Sequence, residues 1–135
     1  MLKLGIIGYG IRTSYVWQGT MRPLGGVELT AIADPKWEKI KSEKGDELPN
    51  CHYYATAEEM LENESLDGVM IGTRDDLHTK YALLVAKYDI PLFLEKPVSI
   101  TDEQLAELET IVEKMDEKTV VSFPLRMSNI VVKIK

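Results

Sequence analysis

The chain has 135 residues, and its 16 Lys and Arg against 22 Asp and Glu give a formal charge of −6 at pH 7. That length suits one domain burying about two thirds of its unfolded surface, and 44% apolar with 28% charged residues excludes disordered and collagen-like chains. The negative balance speaks against a general nucleic-acid or anionic-membrane binder, the single Cys51 leaves no internal disulfide, and no apolar run reaches the roughly 20 residues that span a bilayer.

Met1-Leu2-Lys3 passes straight into Gly5-Ile6-Ile7-Gly8 with no small-residue cleavage site, the pattern of a mature cytoplasmic start. Leu2 to Ile7 is a first strand ending in glycines. Ile11 to Leu24 is the least regular helix, with Gly19 inside it and Pro23 near its end. Val27 to Ala33 is a second strand, closed by Asp34. Pro35 suits the first turn of a helix from about Lys36 to Lys44, ended by Gly45. His52 to Ala55 is a weaker strand, and Thr56-Ala57-Glu58-Glu59 is a capping box opening a short helix through Leu61. Gly68 to Ile71 is the fourth strand. Asp76 to Tyr88 sets Leu77, Tyr81, Leu84, Val85 and Tyr88 on one helical stripe. Pro91 to Leu94 is the fifth strand. Thr101-Asp102-Glu103-Gln104 is a second capping box, opening a helix to Asp116 with Leu105, Leu108, Ile111, Val112 and Met115 on one face. Thr119 to Phe123 is the sixth strand. Short, continuously apolar strands alternating with helices predict βαβ units and a parallel sheet covered on both faces.

Chemistry concentrates where strands end. Gly8-Tyr9-Gly10-Ile11-Arg12-Thr13 follows the first strand and opens a helix. Glycines in such a turn allow a tight bend and let backbone approach a pyrophosphate, while the helix start supplies amides and a positive dipole end. Thr13 stands at the third glycine position, a change expected to loosen helix–strand packing slightly; Arg12 can offer guanidinium donors to phosphate. Without a ligand, the same residues are simply a strand-to-helix turn. Asp34 lies 26 residues after Gly8, where a carboxylate accepts bonds from the hydroxyls of an adenosine ribose. A carboxylate there repels a 2′-phosphate and favours NAD over NADP, and nearby Lys36 softens that preference; Asp34 is equally suited to capping the next helix.

Glu95-Lys96-Pro97 ends the fifth strand, at the carboxyl edge of the sheet where ligands of open α/β folds bind. A lysine there can polarise a substrate hydroxyl or move its proton, or form an ordinary strand-end ion pair. Thr73-Arg74-Asp75-Asp76-Leu77-His78 would line the same crevice; its simpler roles are a helix cap at Asp76 and a first-turn surface histidine at His78. No metal site is expected.

Together these segments resemble the N-terminal half of the glucose–fructose oxidoreductase / inositol dehydrogenase / rhizopine catabolism (Gfo/Idh/MocA) oxidoreductases. The resemblance is carried in order by LGIIGYG, AIADP, LDGVMIGT with its following LH, PLFLEKPVSIT and VVSFPLRMSN, the EKP segment being the most specific. It implies an α/β, three-layer Rossmann fold with a doubly wound, mainly parallel six-stranded sheet, bound NAD(P), and hydride transfer to or from a sugar, inositol or related polyol. It implies that Gly8, Gly10, Ile11 and Arg12 lie along the pyrophosphate, Asp34 at the adenosine ribose, and Thr73 and His78 near the nicotinamide half. Glu95 and Lys96 become the active-site pair beside the cofactor, with Lys96 the catalytic lysine, and Arg126 matches the arginine after the sixth strand.

Three residues depart from the family's pattern: Thr13 replaces a glycine, Arg74 a proline and Asp75 an asparagine, so that Asp75 beside a dinucleotide calls for pairing with Arg74. The family also carries a second α/β domain that supplies most of the substrate pocket and the homo-oligomer interface. Residues 1–122 are accordingly expected to be the NAD(P)-binding domain, and 123–135 the start of that second domain in a longer chain. Two other functions fit the same residues: a nucleotide-binding module without turnover, or an NAD-dependent glycoside hydrolase or epimerase of the same family.

Overall fold

A computed structural model describes residues 1–123. Six strands form one sheet: β1 (Leu2–Ile7), β2 (Val27–Ala33), β3 (His52–Tyr54), β4 (Gly68–Ile71), β5 (Leu92–Glu95) and β6 (Thr119–Ser122). Their order is β3-β2-β1-β4-β5-β6 and every neighbouring pair is parallel. The order reverses beside β1, which opens a crevice at the carboxyl ends of β1 and β4.

Strand alternation, shifted once in β2 by an extra residue between Leu29 and Ala31, builds the three layers. Ile7, Ala31, Ala33, Val69, Ile71, Leu92 and Leu94 enter one apolar cluster, whereas Leu4, Ile6, Leu29, Ile32 and Met70 enter another on the opposite face, with Phe93 packed against it. The first cluster is closed by α4 (Ala57–Asn63) and α5 (His78–Lys87), through Met60, Leu61, Ala82, Val85 and Ala86, and by Met115 of α7 (Val112–Met115). The second is closed by Trp17, Leu48 and Cys51, with Val16 of α1 (Ile11–Val16) and Ile40 of α3 (Trp37–Lys44) packed against it.

The irregular first helix changes pitch along its length. α1 runs into a π-helical segment, Trp17–Met21, and then α2 (Arg22–Leu24). The Arg22 amide donates to the Trp17 carbonyl five residues back, the wide spacing of a π-turn. The predicted helix from Thr101 divides into α6 (Asp102–Glu109) and α7. At the break the Thr110 hydroxyl and amide both donate to the Glu107 carbonyl, at 2.6 and 3.2 Å, and tighten the turn. Of its predicted stripe, Leu108, Ile111 and Met115 face the core, whereas Leu105 and Val112 are exposed. In both expected capping boxes the threonine half forms: Thr56 accepts from the Glu59 amide and Thr101 from the Gln104 amide. The Gln104 side chain reaches one residue further back than expected, accepting from the Ile100 amide at 2.8 Å.

Candidate functional site

The glycine turn is built by sterics. Gly8 has φ +82°, and a Cβ there would lie 2.9 Å from the Thr73 backbone. Gly10 needs no unusual conformation; a Cβ there would come within 4 Å only of the Gly72 carbonyl oxygen, on the wall of a cavity. Thr13 is fully buried, and its hydroxyl donates to the Gly8 carbonyl at 2.8 Å. The packing at this third motif position is therefore not loosened. The close approach has moved to the neighbouring strand end: a Cβ at Gly72 would overlap the Thr13 methyl, so Gly72 supplies the space that a glycine at 13 would have supplied. Reasoning from the motif alone missed Gly72; the signal was a glycine directly after the fourth strand, facing a β-branched residue.

Asp34 follows β2 and is half-buried. One carboxylate oxygen accepts from the Tyr9 amide at 3.0 Å and the other from the Lys36 amide at 2.8 Å. It thus ties the glycine turn to the β2 end. It is not the helix cap, because the N-cap of α3 is Lys36. Each oxygen keeps a lone pair for a further donor.

Between these elements lies a cavity of about 970 Å³, lined among others by Gly8, Tyr9, Gly10, Ile11, Asp34 and Thr73. Lys36, Lys39 and Lys44 stand with Asp34 and Glu43 along its β2 side, and Arg74, Leu77 and Tyr81 along its β4 side. A tight glycine turn, open space beside Gly10, and a carboxylate at the next strand end fit an adenine dinucleotide in size and donor set.

The other predicted residues gather at the β5 flank without lining that cavity. Arg12 does not turn to the turn's open side; its Nε donates to a Glu95 oxygen at 3.1 Å. Glu95 is 5% exposed and pairs with Arg12, whereas Lys96 is exposed and has no ion-pair partner among the described residues. The expected Glu95–Lys96 pair is thus replaced by Arg12–Glu95, because successive residues at a strand end leave on opposite sides.

His78 is 1% exposed, not a surface residue. Its Nδ1 lies 2.7 Å from the Pro97 carbonyl and its Nε2 3.0 Å from the Thr73 carbonyl. It braces the β4 and β5 loops against each other, alongside Thr79, whose hydroxyl donates to the Val98 carbonyl at 3.0 Å. Arg74 makes two 3.1 Å bonds to Asp76, not to Asp75. Asp76 therefore pairs across its turn and caps nothing. Cys51 is buried in the core away from the crevice, and burial pushes its thiol up to about 12, which removes it as a nucleophile. Arg126 lies outside the described residues, as do all but the first residue of the expected second-domain segment 123–135.

Residues 2–123 match the family described as "Oxidoreductase family, NAD-binding Rossmann fold" (GFO_IDH_MocA). The chain is 27% identical over 100 residues to inositol 2-dehydrogenase of Acidiphilium cryptum, an alignment covering 74% of this chain and 30% of that protein. It is 25% identical over 120 residues to scyllo-inositol 2-dehydrogenase (NADP(+)) IolW of Bacillus subtilis, covering 89% of this chain and 32% of that one. The WlbA dehydrogenase of Chromobacterium violaceum, solved with NADH and UDP-GlcNAcA, shares the fold with a TM-score of 0.86 at 17% identity, covering 99% of this chain and 38% of that one. The chain thus spans about a third of the length of the curated relatives it matches. No helix among the described residues is long and apolar enough to cross a membrane. A match over nearly the whole chain, on a doubly wound parallel sheet with the glycine turn and Asp34 at its switch point, places this protein in the Gfo/Idh/MocA oxidoreductase family, with residues 2–123 as its NAD-binding Rossmann domain.

Proposed function

We propose that this chain is the cofactor domain of an enzyme moving hydride between nicotinamide and a CH–OH group of a sugar, inositol or related polyol. Asp34 carries the reading: its carboxylate is fixed by two amides at the mouth of the 970 Å³ cavity, on the β2 side where an adenosine ribose would lie. The nicotinamide, when bound, supplies the hydride donor or acceptor. Gly8, Gly10 and Ile11 would face the pyrophosphate, Asp34 would accept from the ribose hydroxyls, and Thr73 would stand on the nicotinamide side. Lys96, without an ion-pair partner among the described residues, would hold or take a proton at the substrate oxygen. His78 serves as a brace behind these loops instead of touching the cofactor.

The negative charge of Asp34 disfavours a 2′-phosphate, and the rim cations Lys36 and Lys39 oppose that effect. NAD is the favoured cofactor, because Asp34 is half-buried and Lys36 and Lys39 are exposed to solvent screening. The substrate pocket and a homo-oligomer interface would come from a second domain beginning near residue 123, in a cytoplasmic enzyme.

Calorimetric titration of NADH and NADPH into the chain tests the reading. NADH should bind more tightly, and Asp34→Ala should weaken it by about tenfold or more, the loss of one to two charge-assisted hydrogen bonds. Absence of binding at millimolar concentrations of both nucleotides would overturn it. Binding without oxidation or reduction of any polyol by the full-length protein would favour a nucleotide-binding module.

A further inference from the structure

One stretch of the cavity wall runs from Asp34 to Arg74 through small and apolar side chains. The Asp34 amide donates to the Tyr54 carbonyl at 3.1 Å, so Ala55, the next residue, stands at the Asp34 end of the cavity. Ala57 opens α4 and packs in one apolar cluster with Tyr81 of α5. Leu77 lies one turn before Tyr81, and its amide donates to the Arg74 carbonyl at 3.0 Å. These five residues all line the cavity, and Arg74 is the one charged group among them; Lys36, Lys39 and Lys44 stand on the β2 side. Such a wall, beginning next to a carboxylate placed for a ribose, suits a flat neutral base better than a phosphate.

The Arg74 guanidinium is held in plane. Its Nε and Nη2 donate to the two oxygens of Asp76, both at 3.1 Å, a fork that fixes orientation and compensates the charge. Asp76 is anchored in turn: its carbonyl accepts from the Gln104 side-chain amide at 3.1 Å. One edge of the guanidinium is thereby used, yet the side chain stays 82% exposed. What it offers a ligand is a weakly hydrated flat face, the surface on which arginine stacks with aromatic rings. We infer that Arg74 is a base-stacking residue, its guanidinium face lying against the purine ring of an adenine nucleotide beside the wall of Ala55, Ala57, Leu77 and Tyr81. That a dinucleotide binds rests on the function proposed above; the stacking role of Arg74 is tested apart from it. The family's pattern has proline at this position, so the contact is particular to this chain.

Calorimetric titration of ADP and of NADH into the full chain, parent against Arg74 variants, tests the inference. Arg74→Ala should weaken both nucleotides by the same factor, about fivefold, because the base is common to them. Arg74→Lys keeps the charge and loses the plane, and should weaken them as much. Neither factor should change between low and high salt, whereas a phosphate contact would be screened. Both variants should unfold at the parent's midpoint, since the side chain is exposed. Unchanged affinity in Arg74→Ala, recovered affinity in Arg74→Lys, or a loss that salt removes would overturn the inference, the last two by assigning Arg74 to a phosphate. A parent chain that binds neither nucleotide defeats the cofactor reading and this role with it. A parent that binds both no better than Arg74→Ala defeats the role of Arg74 alone.

Discussion

On the β1–β2 side of the crevice the contacts run through backbone: Gly8 at positive φ, the Tyr9 and Lys36 amides on Asp34, and the Thr13 hydroxyl on the Gly8 carbonyl. On the β4–β5 side they run through side chains that hold one another or the neighbouring loop: Arg12 on Glu95, Arg74 on Asp76, and His78 between the Thr73 and Pro97 carbonyls. A backbone-built wall presents the same donors whatever its neighbours are, which suits a constant ligand such as a dinucleotide. Among the described residues, that wall leaves Lys96 exposed and without an ion-pair partner.

The largest effect should come from breaking the backbone wall. Gly8→Ala puts a Cβ into the Thr73 backbone at a positive φ, and should lower the unfolding free energy by about 3 kcal/mol in denaturant titration. Gly72→Ala should cost about 1–3 kcal/mol through overlap with the Thr13 methyl, and adding Thr13→Ser, which removes that methyl, should recover most of it. Recovery in the pair shows that residues 13 and 72 share one packing constraint.

Asp34→Ala comes next. It strands the Tyr9 and Lys36 amides and should cost about 1–2 kcal/mol by thermal or chemical unfolding, beyond its effect on nucleotide affinity.

Alkaline pH probes the core beneath the β2–β3 end. Burial pushes the Cys51 thiol from 9.0 up to about 12. Burial, then the Glu64 carboxylate it donates to, push Tyr54 from 10.0 up to about 12. Raised folded-state values mean that the stability is fully present below pH 9 and is lost as pH rises from 9 toward 12. Denaturant midpoints measured across that window should fall steadily, and Cys51→Ala should flatten the part that begins near pH 9. The smallest effect concerns Asp89, which the Lys118 ammonium at 2.7 Å holds below the usual carboxylate range. Its contribution is present at neutral pH and lost on acidification, and salt should screen it; Lys118→Ala should remove that small acid-side slope.

Local signals carried most of the fold. Apolar runs of strand length, the two threonine N-caps and the extent of α5 are properties of neighbouring residues, and each appears within a residue or two of its expected bounds; the buried face of α5 is His78, Thr79, Ala82, Val85 and Ala86, so of the expected stripe only Val85 is fully buried and Tyr88 is exposed. Of the misjudged details, the helix break is local, and the burial of His78 was settled by partners distant in sequence. Helix 101–116 breaks because Thr110 can bond back to Glu107, although its apolar spacing is continuous. His78 is four residues from the crevice-lining Arg74, yet packing of α5 against the Pro97–Val98 loop buries it.

The sequence by itself determined a parallel α/β sheet, a glycine turn followed by Asp34 at dinucleotide spacing, and the family those segments share. These depend on periodicity and on residue types whose backbone behaviour is intrinsic. Only the tertiary structure decided that Gly72 makes room for Thr13, that Arg12 takes Glu95, and that Lys96 has no ion-pair partner among the described residues. Those outcomes join positions 59 and 83 residues apart, and they follow from which faces of β4 and β5 meet α1.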